Sequence, residues 1–387
     1  MNDATLLRPV LPSVQLAPIL FGLSALGAIA VGASAWGGWR FAALAVVGGF
    51  AGFALYHAAF GFTAAWRRMV SEGRGNGLRA QMLLLALTCA VTYPLIEYGS
   101  TAAGGSVGGF VFPFGWAVAI GAFLFGVGMQ FGGGCGSGTL FTAGGGSMRM
   151  VVTLLAFIGG SLIATHHLHL WNALPRFEAV SLVRVWGPWK ALLALLLACA
   201  AVCWITLRIE RNVELEPEPP RRTVSLLRGT WSPWLGAVTI ALVGWATYWL
   251  LGRPWGVTSG FALWGAQFAD VAGIDVRSWP YWRGSGALDR SILADATSVQ
   301  NLGIVAGAAV AAGMASRYRP TLRIAPHEIA TAIAGGLLMG YGARLSFGCN
   351  IGAYLGGIAS GSLHGPFWAV FAFAGSSLAV RWRMRGA

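Results

Sequence analysis

The sequence predicts an all-α polytopic membrane protein, with about ten spanning helices plus short re-entrant segments in two inverted repeats. Three observations predict it. Charged side chains make up 10% of the 387 residues, whereas a soluble domain carries about 25%. Mean hydropathy is +0.66. The 57 glycines are about twice the ordinary share and sit among Leu, Ala, Val, Phe and Trp, not in low-complexity runs. Glycine at that density suits spanning helices, where it lets backbones approach closely. A soluble enzyme is excluded on these grounds. The net charge of +13 does not mark a nucleic-acid binder either. All 26 basic residues except Lys190 are arginines, scattered through short loops between apolar stretches.

A spanning helix needs about 20 mainly apolar residues. Such stretches fall at 15–35, 41–65, 79–98, 114–132, 150–168 and 189–207. After a charged break they resume at 232–251, 299–316, 328–346 and 365–381. Arginines cluster at 67–79, 208–228, 317–323 and 381–385, and even numbers of spans separate successive clusters. All four clusters therefore share one face, which the positive-inside rule makes cytoplasmic, together with both termini. Arg176, Arg184, Arg277, Arg283 and Arg290 fall on the other face, against the trend. Residues 208–231 combine Pro with mixed charge and read as a cytoplasmic linker between two membrane halves, 1–207 and 232–387. Arg8 followed by Pro9, Pro12 and Pro18 does not compose a cleavable signal peptide.

The halves share a motif. Residues 126–138 read GVGMQFGGGCGSG and 340–352 read GYGARLSFGCNIG, giving G-x-G-x5-G-C-x2-G twice at an offset of 214. Cys135 and Cys349 occupy the same register. The span before Cys135 runs inward and the span before Cys349 runs outward, so the two copies enter from opposite faces. Segments 133–147 and 348–362 are too short and glycine-broken to span, and such backbone is tolerated only where it lines a cavity. Their tips are expected to meet near the membrane midplane, where transporters commonly hold substrate at half-helix ends.

Residue chemistry then selects a ligand class. Half-helix N-termini present free N–H groups and favour an anion. Gly134, Gly136 and Gly348 permit turns and close backbone approach, Asn350 follows the second thiol, and the two thiols are soft and polarisable. A reduced sulfur or selenium oxyanion suits both properties. Neither segment contains Asp or Glu, which argues against a metal-cation path. No metal site, cofactor or disulfide framework is expected, since the five cysteines form no CxxC.

At these residues the sequence resembles the YeeE/YedE family of bacterial sulfur-compound transporters, which includes thiosulfate importers. FGGGCGSG (131–138) and SFGCNIGAYLGGIASGSLHG (346–365) carry the resemblance, with RPWGVTSGFALWGAQ (253–267) and ATSVQNLGIVAGAAVAA (296–312). It implies a multi-pass permease of the bacterial cytoplasmic (inner) membrane, embedded in the lipid bilayer, that takes up thiosulfate or a related sulfur-containing anion. Cysteines along a narrow passage would hold the anion by S–H hydrogen bonds, and the matching positions are Cys135 and Cys349. A cytoplasmic sulfur-relay protein is a candidate partner. One departure stands out: HAAFGFTAAWRR (57–68) fits an early family motif, but Gly61 stands where a third cysteine would be.

Each assignment has a plainer counterpart. Cys89, Cys199 and Cys203 lie in ordinary apolar helices and read as small hydrophobes. His166, His167 and His169 read as an interfacial run rather than a metal cluster. His364 either starts a helix or helps gate the anion. Arg344, in register with Gln130, either attracts the anion at the outer entrance or pairs with a loop carboxylate. Trp255 and Trp264, in a third re-entrant stretch at 254–268, either pack or wall the passage. The rival functions are a membrane sulfurtransferase that forms a persulfide on Cys135 or Cys349, a selenium-compound transporter, and a scaffold subunit. The transport expectation needs no catalytic residue and no redox step.

Overall fold

A computed structural model describes residues 13–213 and 225–385, and the description that follows concerns these. The first half contains α1 (Leu16–Ala58), α2 (Phe62–Glu72), α3 (Asn76–Tyr98), α4 (Trp116–Gly132), α5 (Gly136–Gly144) and α6 (Met148–Trp171). A short α7 (Leu182–Trp186) and the long α8 (Pro188–Arg211) close it. The second half contains α9 (Pro233–Leu251), α10 (Thr258–Val271), α11 (Ala296–Met314) and α12 (Pro326–Leu345). A π-helical turn (Asn350–Leu355) then continues into α13 (Gly356–Ala359), and α14 (His364–Arg385) follows. The one small sheet pairs β1 (Phe114–Gly115) antiparallel with β2 (Arg176–Phe177). Seven helical stretches among the described residues are long and apolar enough to cross a membrane. The protein is an all-α polytopic membrane protein.

The first two expected spans form one helical run interrupted at Gly38, whose φ of 61° breaks the helix. The chain reverses there. Gln15 donates its N–H to Gly313, and Gly22 packs on Ala306 and Val310, so the first arm descends α11. Gly48 meets Gln300 and Gly52 meets Ile304, so the second arm ascends it. This second arm stops at Ala58 rather than near 65, and α2 is a separate short helix behind Gly61. The expected linker also starts later than 208, because α8 continues to Arg211. Glu210 anchors that end, 2.8 Å from Arg79 and accepting the Gly75 N–H at 2.7 Å. Residues 214–224, the centre of the linker, lie outside the described residues.

Elements related by the motif offset pack in reciprocal pairs: α14 lies along α4 and α12 along α6, while α1 lies along α11 and α9 along α3. Helices α4 and α12 cross each other directly. Gly121 faces Gly342 and Leu345, whereas Gly128 faces Gly335 and Met339, so equivalent helices run in opposite directions. A Cβ added at Gly128 would stand 2.8 Å from the Gly335 carbonyl oxygen, which explains why this crossing demands glycine. Backbone contact of this kind replaces the hydrophobic effect, which supplies no drive between helices already in lipid. Described arginines of these clusters gather at one end of the bundle. Arg383 donates to the Gln130 carbonyl and Arg149 to the Phe131 carbonyl, each at 2.9 Å. At the opposite end, Arg277 is held by Asp270 at 2.9 Å and by Asp289 at 2.6 Å. Local neutralisation accounts for this arginine standing against the charge trend.

Candidate functional site

Four short elements come together near their starts, and two of them start on cysteine. Helix α4 ends at Gly132, and Gly133 turns the chain with φ +87°, a conformation glycine adopts without steric cost. Cys135 then caps α5, its carbonyl accepting from both the Thr139 N–H and the Thr139 hydroxyl at 2.8 Å. The second copy repeats this construction. Phe347, in register with Gly133, adopts φ +61°, and Cys349 caps the π-helical turn by accepting from Ala353 N–H at 2.8 Å. A bulky residue in the left-handed region costs about 1–2 kcal/mol and marks strain. Phe347 is held there by stacking on Phe112, with ring centroids 4.5 Å apart and planes within 10°.

The two thiols are 1% and 0% exposed, and their half-helices meet at their first turns. A Cβ built on Gly136 would stand 3.0 Å from Cys349 Sγ and 3.4 Å from Val257 Cγ1. Gly136 is therefore where the sulfur of the other repeat is admitted. Each sulfur lies beside N–H groups of its own first turn, Ser137 and Gly138 for Cys135, Ile351 and Gly352 for Cys349. The Ser137 hydroxyl is 3.6 Å from Cys135 Sγ. The glycines Gly134 and Gly348 occupy equivalent places just ahead of the thiols, packed against the first turns that follow.

One departure from the symmetry lies beside the thiols. Asn350 stands in register with Gly136 and is fully buried, yet neither its Nδ2 nor its Oδ1 has a hydrogen-bond partner. Leaving a buried polar group unpaired costs about 1–3 kcal/mol. A bound water, a ligand or a functional role accounts for such groups in folded proteins.

Helices α2 and α10 supply the remaining two N-termini. Phe62 packs on Tyr354 of the π-helical turn at 5.9 Å, and Val257 touches the Gly136 position. Asn301 donates to the Val257 carbonyl at 2.8 Å, fixing that turn. Arg344 joins α12 to α10, donating to the Thr258 and Tyr281 hydroxyls at 3.1 Å each. Its loop partner is thus a tyrosine hydroxyl, not a carboxylate. Gln130, in register with Arg344, joins α4 to α2 and α14 through the Thr63 carbonyl and the Ser376 hydroxyl. The residues Gly61-Phe62-Thr63 and Gly256-Val257-Thr258 repeat a G-x-T signature that the sequence displays and that the cysteine motif overshadowed.

His364 stands apart from the thiols, behind the second re-entrant segment. Its Nδ1 lies 2.9 Å from the Ser362 hydroxyl, its Nε2 has no partner, and its ring meets Phe112 edge-on at 5.2 Å. The strap 110–112 packs against the same segment. Phe110 N–H donates to Ser360 at 2.8 Å, and its ring joins the stack of Phe112 and Phe347. Loop aromatics carry no periodic signal, so nothing local in the sequence flags them. Trp264 donates to Ser298 at 2.8 Å, whereas Trp255 Nε1 is buried without a partner. The histidine run forms no metal cluster among the described residues: His167 lies 3.2 Å from the Tyr341 hydroxyl and His166 packs on Trp279.

Inverted re-entrant half-helices meeting at a buried polar junction define a membrane protein with the architecture of a transporter. The chain belongs to the sulphur transport family, whose pattern it matches over residues 57–378. Among its relatives, the thiosulfate transporter TsuA of Escherichia coli is 25% identical over 325 residues, 79% of this chain and 84% of that protein. TsuA of Spirochaeta thermophila is 27% identical over 274 residues, 66% of this chain and 74% of that protein. The probable transporter YedE of Escherichia coli is 30% identical over 154 residues, 40% of this chain. The matched part of this chain spans 38% of the length of that YedE and of the Salmonella typhimurium YedE.

Proposed function

We propose that the chain takes up thiosulfate or a related sulfur-containing anion across the bacterial cytoplasmic membrane, through a passage at the Cys135–Cys349 junction. One observation carries this: two buried thiols abut at the first turns of oppositely inserted half-helices, beside an amide with no partner. An anion with hard oxygens and one soft sulfur matches the two kinds of group present. N–H groups of the two first turns and the Asn350 amide receive the oxygens, because half-helix N-termini favour negative charge. The thiols receive the sulfur by S–H hydrogen bonds, and no bond to sulfur is made or broken.

The two halves, 1–207 and 232–387, act as inverted units around this junction, with both termini and the arginine-rich end facing the cytoplasm. Arg344 stands at the outer approach and draws the anion toward the α10 N-terminus. His364 and the Phe112–Phe347 stack wall the second re-entrant turn, and Gly134, Gly136 and Gly348 keep the junction narrow. A sulfur-relay protein would receive the anion inside. The named activity of the TsuA relatives supports the choice of substrate.

Uptake of labelled thiosulfate into proteoliposomes tests the proposal. Cys135→Ser and Cys349→Ser are each expected to lower the flux at least tenfold. Undiminished flux in both variants would remove the thiol passage. A persulfide trapped on either cysteine after exposure to thiosulfate would favour a sulfurtransferase instead.

A further inference from the structure

We propose a second oxyanion site at the arginine-rich end of the bundle, in the cavity beneath the α5–α6 turn. This cavity, about 450 Å³, is lined by Arg149, Arg317, Arg319, Arg323, Ser147 and Glu328, among others. Four arginines and a single carboxylate thus line one cavity. That carboxylate is already engaged, since Glu328 accepts the Ala325 N–H at 3.2 Å and caps α12. None of the four arginines has an ion-pair partner among the described residues. The positive-inside rule explains arginines on this face, but it does not explain why four of them line one concave site with a single carboxylate, Glu328.

Arg149 gives the site its depth. It is half-buried at the start of α6, with Nη2 donating to the Phe131 carbonyl at 2.9 Å, while its buried Nε has no partner. Its Nη1 lies 2.6 Å from where a Cβ on Gly133 would be, against the turn that leads to Cys135. Occupancy of the cavity would therefore be felt at that turn through one side chain. The chemistry fits a tetrahedral dianion such as phosphate, for which converging guanidiniums are the preferred partners. Such a group can arrive as a free inorganic ion or as the phosphate of an anionic lipid headgroup. The site does not depend on the transport proposal, because its test measures equilibrium binding and not flux.

Two measurements on the full-length protein test it. Inorganic phosphate is titrated calorimetrically into protein in neutral detergent, and phosphatidylglycerol retention is counted by native mass spectrometry after reconstitution with phosphatidylcholine. The triple variant Arg317→Gln/Arg319→Gln/Arg323→Gln is expected to bind phosphate at least tenfold more weakly, with partial recovery in the triple Lys variant. Phosphate binding in the wild type that weakens with added salt supports a free-ion site. Phosphatidylglycerol retained by the wild type and lost from the variant, without phosphate binding, supports a headgroup site. The single variant Arg149→Gln should weaken whichever ligand binds and guards against misfolding of the triple variant. Equal phosphate affinity and equal lipid retention in wild type and folded variants would overturn the site.

Discussion

Replacing Asn350 by alanine is expected to leave the empty protein at least as stable while weakening its hold on the anion. Both polar atoms of this fully buried side chain lack partners, and each such group costs about 1–3 kcal/mol. Truncation removes that cost, roughly 2–6 kcal/mol for the pair, and leaves a small cavity worth about 1–2 kcal/mol in the other direction. The balance is about 0–5 kcal/mol in favour of the variant, the opposite of an ordinary buried truncation. Ligand binding supplies the second half. Thiosulfate at about 100 times its dissociation constant should stabilise the wild type by about 2.7 kcal/mol. Loss of one charge-assisted hydrogen bond of about 2 kcal/mol weakens binding roughly 30-fold, which leaves about 0.9 kcal/mol at the same concentration. Thermal unfolding in detergent, with and without thiosulfate, reads both quantities. A variant clearly less stable when empty, with an undiminished thiosulfate shift, would show that the amide serves the fold and not the anion.

Three further outcomes follow from the geometry. At Phe347, with φ +61°, glycine should be more stable than alanine by about 1 kcal/mol, and equal melting of the two variants would contradict the strained turn. Gly307→Ala places a methyl on the Gly49 backbone and should sharply reduce monodisperse protein in size-exclusion profiles. Gly27→Ala meets nothing within 4 Å and should leave the profile unchanged, so similar profiles for both would refute the close crossing of α1 and α11. Gly61→Cys should be accommodated within about 0.5 kcal/mol, since a Cβ there has its nearest neighbour, the Ala59 carbonyl oxygen, at 4.0 Å and φ is −129°. Thermal unfolding checks that, and a drop of several degrees would show that this position no longer accepts the third cysteine that the resemblance implies.

Much of this protein was legible in one dimension because lipid leaves the chain few choices. Apolar runs of spanning length mark helices, since a backbone in hydrocarbon must satisfy its own hydrogen bonds. The matched register of Cys135 and Cys349 marked the repeat, because glycine-rich breaks at membrane depth survive only where they are buried in protein. Boundaries were less legible. Nothing in composition separates α1 from α2 at Ala58, since the chain stays mainly apolar through Trp66, and the Trp231 N–H that meets the His57 carbonyl there at 2.8 Å comes from far along the chain. The charged start of the linker stayed helical because Glu210 finds Arg79 and Gly75 across 131 and 135 residues of chain. Such pairings are invisible to local pattern.

By itself the sequence determined the solvent of the fold, the helical content, the doubled architecture and the two thiols, all properties fixed by composition and periodicity. Only the tertiary structure decided which groups surround those thiols. It admitted Cys349 into the space beside Gly136, left Asn350 without a partner, and laid the Phe112 ring over a strained Phe347. It also sent Arg344 to two hydroxyls rather than a carboxylate, and drew four arginines around one cavity. The physical reason is the same in each case. These contacts join segments far apart in the chain, and their energies depend on distances of a few ångströms that no local run of residues encodes.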